Sequence, residues 1–342
     1  MKRSCIGMLI AAAVLITAGI MTCIMGAFFM GFNFTKLNKN EIVEKEFTVE
    51  EAFDEIAVEH LAADVKLAVS EDGLCRISYK EFRKVSYTAE VENGVLTIRQ
   101  NDHRKWYDHI GIFWGETQII LYLPETSYGA LNITTTVGDV EIPGEFAFEN
   151  VQITTDTGDV DYYGSAAETL KIKTDTGEIK VGDLSLNQLA IETDTGDVRI
   201  GHAKISESIA ITTDTGEIEA NNVDAAAALF ATHTGDVEPE QITVAGDLMI
   251  STTTGSVIME NTVAEGNIQI TTTTGDIEMG SCDGGNLFIE TNTGDVSGIL
   301  RSGKNFNARS STGDIRVPGD YDPAWGRCEV TTSTGDIELK IR

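Results

Sequence analysis

Eleven close variants of one phrase, T-x-T-G-[D/E]-[V/I], run through the last two thirds of this chain, centred on Gly138, Gly158, Gly177, Gly196, Gly216, Gly235, Gly255, Gly275, Gly294, Gly313 and Gly335. Successive spacings are 20, 19, 19, 20, 19, 20, 20, 19, 19 and 22 residues. A period held that tightly belongs to a repeat architecture, in which each unit contacts its sequence neighbours, and not to an ordinary globular domain.

The unit is a strand broken at its glycine. In Val151-Gln-Ile-Thr-Thr-Asp-Thr-Gly-Asp-Val-Asp-Tyr162, Val151, Ile153, Thr155 and Thr157 alternate with Gln152, Thr154 and Asp156. Period-two alternation marks a strand with one buried face. Beyond Gly158 the parity shifts, and Val160 and Tyr162 become the like-facing pair. A glycine at a parity break is the mark of a bend that needs positive φ or close backbone approach.

Numbered from the glycine, the columns are regular. Position +2 is Val or Ile in all eleven copies, and −5 is Ile in eight, with Phe230, Ala308 and Val330 in the rest. Position −7 is always apolar, including Cys328; −3 is Thr except for Ser310; −1 is Thr except for Val137; and +1 is Asp or Glu except for Ser256. One such unit cannot bury its apolar side alone, but stacked on its neighbours it can. β-Branched residues suit a half-buried pleated surface, and neither the composition nor any 3.6-residue period supports helix. The expected fold class is all-β: a β-solenoid of about eleven 19–20-residue coils, roughly 50 Å long at the usual strand spacing. A worn twelfth coil precedes them, with Ile56-x-Val58 and Asp64-Val65-x-Leu67 in the same columns and Ala63 in place of the glycine.

The chain divides into an N-terminal membrane anchor (1–34), a linker (35–46), an N-terminal β cap with the degenerate coil (47–128) and the solenoid repeats (129–342). Residues 6–32 carry no charged side chain, which is long enough to span a bilayer. Lys2 and Arg3 before this segment favour a cytoplasmic N-terminus, so the solenoid is expected on the outer side of a membrane crossed once. A cleaved signal peptide is a second reading, although its apolar region would be about half this length. A lipoprotein with Ile20-Met-Thr-Cys23 as a poor lipobox is a third. In the cap, Val85 to Gln100 is read as a hairpin about Asn93-Gly94, and Ile119 to Leu123 as a strand stopped by Pro124. The C-terminus is expected to run straight out of the last coil as Ile337-Glu-Leu-Lys-Ile-Arg342, an uncapped end open to self-association.

With a net charge of −29, nucleic acid is excluded as a partner of the repeats. The acidic column at +1 is the sharpest chemical feature. Backbone N–H groups in the turn are one way to relieve its repulsion, and a row of bound cations such as Ca²⁺ is the other. The pattern is not the G-G-x-G-x-D nonapeptide of calcium β-rolls, so metal binding stays undecided. Parity places both threonines of each T-x-T inward, unlike the exposed Thr rows of ice-binding solenoids. The histidines (His60, His103, His109, His202, His233) are scattered, and Cys75 and Cys328 fall in core columns. No nucleophile elbow, phosphate loop or zinc spacing occurs, so no catalytic or cofactor residue is assigned and no cofactor is expected. Two of the three tryptophans lie in Arg104-Lys-Trp-Tyr-Asp-His-Ile-Gly-Ile-Phe-Trp-Gly115, read as a cap loop.

The T-x-T-G-D-[V/I] coils, the apolar N-terminal segment and the stretch R-K-W-Y-D-H-I-G-I at 104–112 together resemble a bacterial family of β-strand-repeat proteins labelled putative adhesins, a domain of unknown function. The resemblance spans roughly residues 45–342. It implies a β-solenoid at the cell envelope, a link of some relatives to envelope-stress responses, and no catalytic residues. The expected function is a membrane-anchored, extracytoplasmic interaction module binding a protein or a glycan. The alternative is an envelope-stress sensor that binds a membrane partner or an envelope-active peptide.

Overall fold

The computed structural model describes residues 15–22, 24–25, 43–81, 85–104 and 117–342. The chain forms two units, one of Met1–Val43, Glu81–Ser86 and Asp102–Glu116, the other of Glu44–Lys80, Tyr87–Asn101 and Thr117–Arg342. In the first, residues 15–22 are helical, and Leu15, Ile16, Ile20 and Met21 are exposed. Among the described residues no helix is long and apolar enough to cross a membrane. Most of the expected anchor lies outside the described residues, as do 105–115 of the aromatic segment, Cys5, Cys23 and His109.

The second unit is a parallel β-solenoid. Long strands, such as Ile179–Thr195, Val198–Thr215 and Ile218–Thr234, run nearly a full coil each. Each pairs with its counterpart one coil away, column on column: Ile191 faces Ile211, and Ile211 faces Phe230. The interior is a stack of Ile, Val and Leu rows, with Ile153, Ile172, Ile211, Ile250 and Ile270 at most 1% exposed. Each such side chain contributes about 1.5–3 kcal/mol of burial. This is the source of stability that no isolated coil has.

Three features bend the coils of the middle of the stack. The first is the repeat glycine, whose φ lies between 147° and 159° in all eleven coils. A β-carbon on Gly196 would sit 1.8 Å from the carbonyl oxygen of Gly177, so both the dihedral and the close stacking of coils require glycine here. The second corner falls six residues later, at Asp183, His202, Asn222, Gln241, Asn261 and Ser281, all in the left-handed region with φ of 51–59°. Asn, Asp and His are the side chains that tolerate this conformation best. At the third corner the register slips, between Leu186 and Gln188 and again between Ile205 and Ser208. The alternation of 19- and 20-residue periods is absorbed there, away from the core columns.

At the N-terminal end the worn coil is not the outermost layer. Glu55–Leu61 lies between Ser127–Val137, with Ile56 opposite Leu131, and Val95–Asp102, with Ile56 opposite Leu96. Ala63 occupies the glycine corner, its carbonyl where a β-carbon on Gly138 would fall. Cys75–Glu81 then runs antiparallel to Gln118–Leu123 and ends the parallel stack. Asn93 and Gly94, both with positive φ, form the turn between Val85–Glu92 and Val95–Asp102.

At the C-terminal end the order of layers departs from the order of sequence. Leu287 and Ile289 pair with Cys328 and Val330, not with the intervening coil. Cys328 and Val330 pair in turn with Phe306 and Ala308. The glycine corners agree: the Gly294 amide donates to the Thr334 carbonyl, and the Gly335 amide to the Thr312 carbonyl. The stack therefore ends Gly275, Gly294, Gly335, Gly313. The expectation of a bare C-terminal strand is corrected for its first two residues, Ile337 and Glu338, which the displaced coil covers. Arg327–Thr334, Ile337 and Glu338 are paired on both sides, Leu339–Ile341 pair on one side among the described residues, and the end layer is Asn305–Thr312 with Ile315–Arg316. The 22-residue spacing provides the longer return path, through Pro318 and Pro323.

Candidate functional site

The repeat's polar residues are largely engaged by the stack itself. The threonine at −3 is buried in ten coils, at most 6% exposed. Its hydroxyl donates to the carbonyl of the preceding layer's corner glycine: Thr232 to Gly216 at 3.0 Å, Thr252 to Gly235 at 3.0 Å, Thr332 to Gly294 at 3.2 Å, and Ser310 to Gly335 at 2.9 Å. Thr155 and Thr193 are buried with no partner for the hydroxyl among the described residues. Thr232→Val should therefore cost about 0.5–1.5 kcal/mol, whereas Thr193→Val should be neutral or stabilising. Urea titration of the two variants checks the contrast.

The threonine at −1 does not follow its partner inward. Thr157, Thr176, Thr195 and Thr215 are exposed and stack in register. The expectation that both threonines face the core fails because the chain already bends toward the corner between −3 and −1. One exposed Thr row remains, not the paired rows that ice-binding solenoids present.

The acidic column at +1 is a side-chain-to-backbone ladder. The Asp159 amide donates to Asp139 Oδ1 at 2.9 Å, the Glu178 amide to Asp159 at 2.7 Å, the Asp295 amide to Asp276 at 2.8 Å, and the Asp336 amide to Asp295 at 2.7 Å. The Ser256 hydroxyl continues it, accepting from the Asp276 amide at 3.3 Å. These charge-assisted bonds stabilise carboxylates stacked one coil apart. Among the described residues no group of three or more His, Cys, Asp or Glu could hold a metal ion. Glutamates in this column are one methylene longer and do otherwise. Glu178 pairs with Lys180 at 2.5 Å and with Arg199. Partial burial raises the Glu217 carboxyl above the ordinary value, helped by the charges of Glu238, Glu219 and Asp197. A raised folded pKa destabilises the fold above that pKa, and the penalty fades as pH falls toward the unfolded value. Glu217→Gln should therefore raise Tm at pH 7 and change it little near pH 4, by paired thermal melts.

What the repeat leaves free is the outward, variable surface. Coils three to five carry ion pairs between adjacent layers, Lys173 with Glu192 at 2.5 Å and Arg199 with Glu219 at 2.9 Å. From Ile205 to Leu300 there is no Lys or Arg, while sixteen Asp and Glu occur. A shallow groove of about 670 Å³ crosses the third corner, lined by small residues such as Ser185, Ala225 and Ala245, with Lys204, Asp224 and Glu265. A second hollow of about 620 Å³ lies beside the end layer, between Phe306, Asn307, Asp320, Tyr321 and Trp325. Tyr321 is 77% exposed. No signal in the sequence marks either hollow, because both are built from positions outside the repeating columns. Burial pushes the Cys75 and Cys282 thiols up to about 11 and Cys328 to about 12, so the three described cysteines are inert core residues. His233 Nδ1 lies 3.2 Å from the Thr253 hydroxyl, and His202 stands at a left-handed corner.

The family model of the Toastrack DUF4097 domain matches residues 53–240 and 231–342, and the chain belongs to that family. No curated protein matches it. Among solved structures, it is similar to a putative lipid binding protein from Parabacteroides distasonis, at 17% identity and TM-score 0.43, over 76% of this chain and 97% of that one. It is also similar to a putative adhesin from Bacteroides fragilis, at 13% identity and TM-score 0.32, over 89% and 98%. A putative cell adhesion protein from Clostridium sporogenes matches at 11% identity and TM-score 0.24, over 88% and 100%.

Proposed function

We propose that the chain is a membrane-anchored, extracytoplasmic interaction module that binds a protein or glycan partner through the outward surface of its solenoid and performs no catalysis. The observation that carries this is the engagement of the repeat's own chemistry. Hydroxyls at −3 and carboxylates at +1 bond along the stack, so the repeated polar groups build the scaffold, and recognition falls to the variable positions. A rigid scaffold presenting variable outward positions is the usual arrangement of solenoid binding proteins. Support for the anchor comes from the sequence, in the 27 uncharged residues at 6–32. Protease added to intact cells producing the full chain should remove the repeats and leave a membrane-held N-terminal fragment. Complete protection contradicts the outward orientation. Recovery of one regulatory membrane protein from stressed membranes, with no retention on glycans, would move the role to envelope-stress sensing.

A further inference from the structure

We propose that two copies of this chain join end to end through the free edge of Asn305–Thr312, the two strands running antiparallel about a two-fold axis at Asn307. Three observations lead there. First, Asn305–Thr312 pairs on one side only among the described residues, with Arg327–Thr334, so it presents an unpaired row of backbone groups. Second, the core is open at this layer. Ile315 is 43% exposed and Phe306 and Ala308 are half-buried, whereas Ile337, Cys328 and Val330, in the same columns one layer in, are 0% exposed. Third, residues 299–313 contain no Asp or Glu, in a chain whose net charge is −29. The layer's own acidic residue, Asp314, follows this run, pairs with Arg316 and, seven residues from the axis, does not meet its copy in the antiparallel register.

The strand Asn-Phe-Asn-Ala-Arg-Ser-Ser-Thr is self-complementary in this register. With the axis on Asn307, Phe306 of each copy meets Ala308 of the other, large against small, and the two Asn307 amides face each other. Arg309 meets Asn305, so no like charges are opposed. Moving the axis to Ala308 would set Phe306 against Ser310 and lose the apolar match. Among the described residues the opposite end of the stack finishes in antiparallel strands and offers no equivalent parallel edge. The contact is therefore isologous and closes at a dimer.

The test uses the full chain with Cys5→Ser and Cys23→Ser, since the other cysteines are buried. Asn307→Cys should then give a disulfide-linked dimer under mild oxidation, because directly opposed strand residues have suitable Cβ spacing. Ser333→Cys, exposed one layer in, should not. In sedimentation of the native-cysteine chain, Asn307→Asp should weaken the dimer at least about tenfold at pH 7, since like charges directly opposite destabilise a strand pair. Asn307→Ser should keep it. Asn307 is exposed, so both variants retain the fold of the single chain, which circular dichroism would verify. A monomeric mass at every concentration, cross-linking of Asn307→Cys no greater than of Ser333→Cys, or a mass unaffected by Asn307→Asp would each overturn the proposal.

Discussion

Replacing Gly196 with alanine is expected to remove more than about 4 kcal/mol of stability, measured by urea unfolding. Two independent effects add. The residue holds φ of 156°, a region closed to side chains at a cost of about 1–3 kcal/mol. The new β-carbon would also meet the Gly177 carbonyl oxygen at 1.8 Å, and that atom is backbone in the adjacent coil, so relief requires the layers themselves to part. Because neighbouring coils hold one another through such interfaces, the damage should spread to the adjoining layers and lower the cooperativity of unfolding. Gly201→Ala supplies the comparison. Nothing lies within 4 Å of its would-be β-carbon, and the change should be within about 0.5 kcal/mol of neutral.

A pair of isoleucines in one column yields the second large effect. Ile337 and Ile315 both stand two residues after a corner glycine and face each other in adjacent layers. Ile337, though only five residues from the C-terminus, is 0% exposed, and Ile315 is 43% exposed. Ile337→Ala should cost about 2–5 kcal/mol, as for buried aliphatic truncations, and Ile315→Ala less than about 1 kcal/mol. A stack following sequence order would reverse the ranking, since the final coil would then be the frayed one. Equal or reversed losses in parallel denaturation curves would refute the exchanged order.

Much of this architecture could be read from residues alone, for identifiable reasons. Period-two alternation and an unvarying glycine define the strands and the first corner, since each column has one physical requirement that few side chains meet. Even Ala63, where the repeat is worn, keeps its place because Ile56, Val58 and Val65 still fill the apolar columns around it. The second corner was hidden. Asp183, His202, Asn222, Gln241, Asn261 and Ser281 span five residue types and share only an ability to adopt φ near 55°. The outward turn of Thr157 was hidden too, since alternation in sequence continues through a residue at which the backbone has begun to bend.

Layer order at the C-terminal end had no signature in the columns. Val330 and Ala308 both satisfy the −5 position, and nothing in either says which layer it joins. The 22-residue spacing and the two prolines at 318 and 323 are the only traces. The candidate binding surfaces were least legible of all, because the groove at Ala225 and the hollow at Tyr321 use positions that do not repeat. The long run without Lys or Arg between Lys204 and Arg301 is plain in the sequence, but its meaning depends on knowing that the end layer beyond it is open.

The whole account rests on coils joined column to column in the order Gly275, Gly294, Gly335, Gly313, and a cross-link measures that directly. Thr293, Thr334 and Thr312 are exposed corner residues; Thr293 pairs with Thr334, and Thr334 with Thr312. With Cys5 and Cys23 replaced by serine, Thr293→Cys combined with Thr334→Cys should form an intramolecular disulfide on oxidation. Thr293→Cys combined with Thr312→Cys, two layers apart, should not. Rapid closure of the 293–312 pair, with the 293–334 pair left reduced, would contradict the exchanged order and the open end that follows from it.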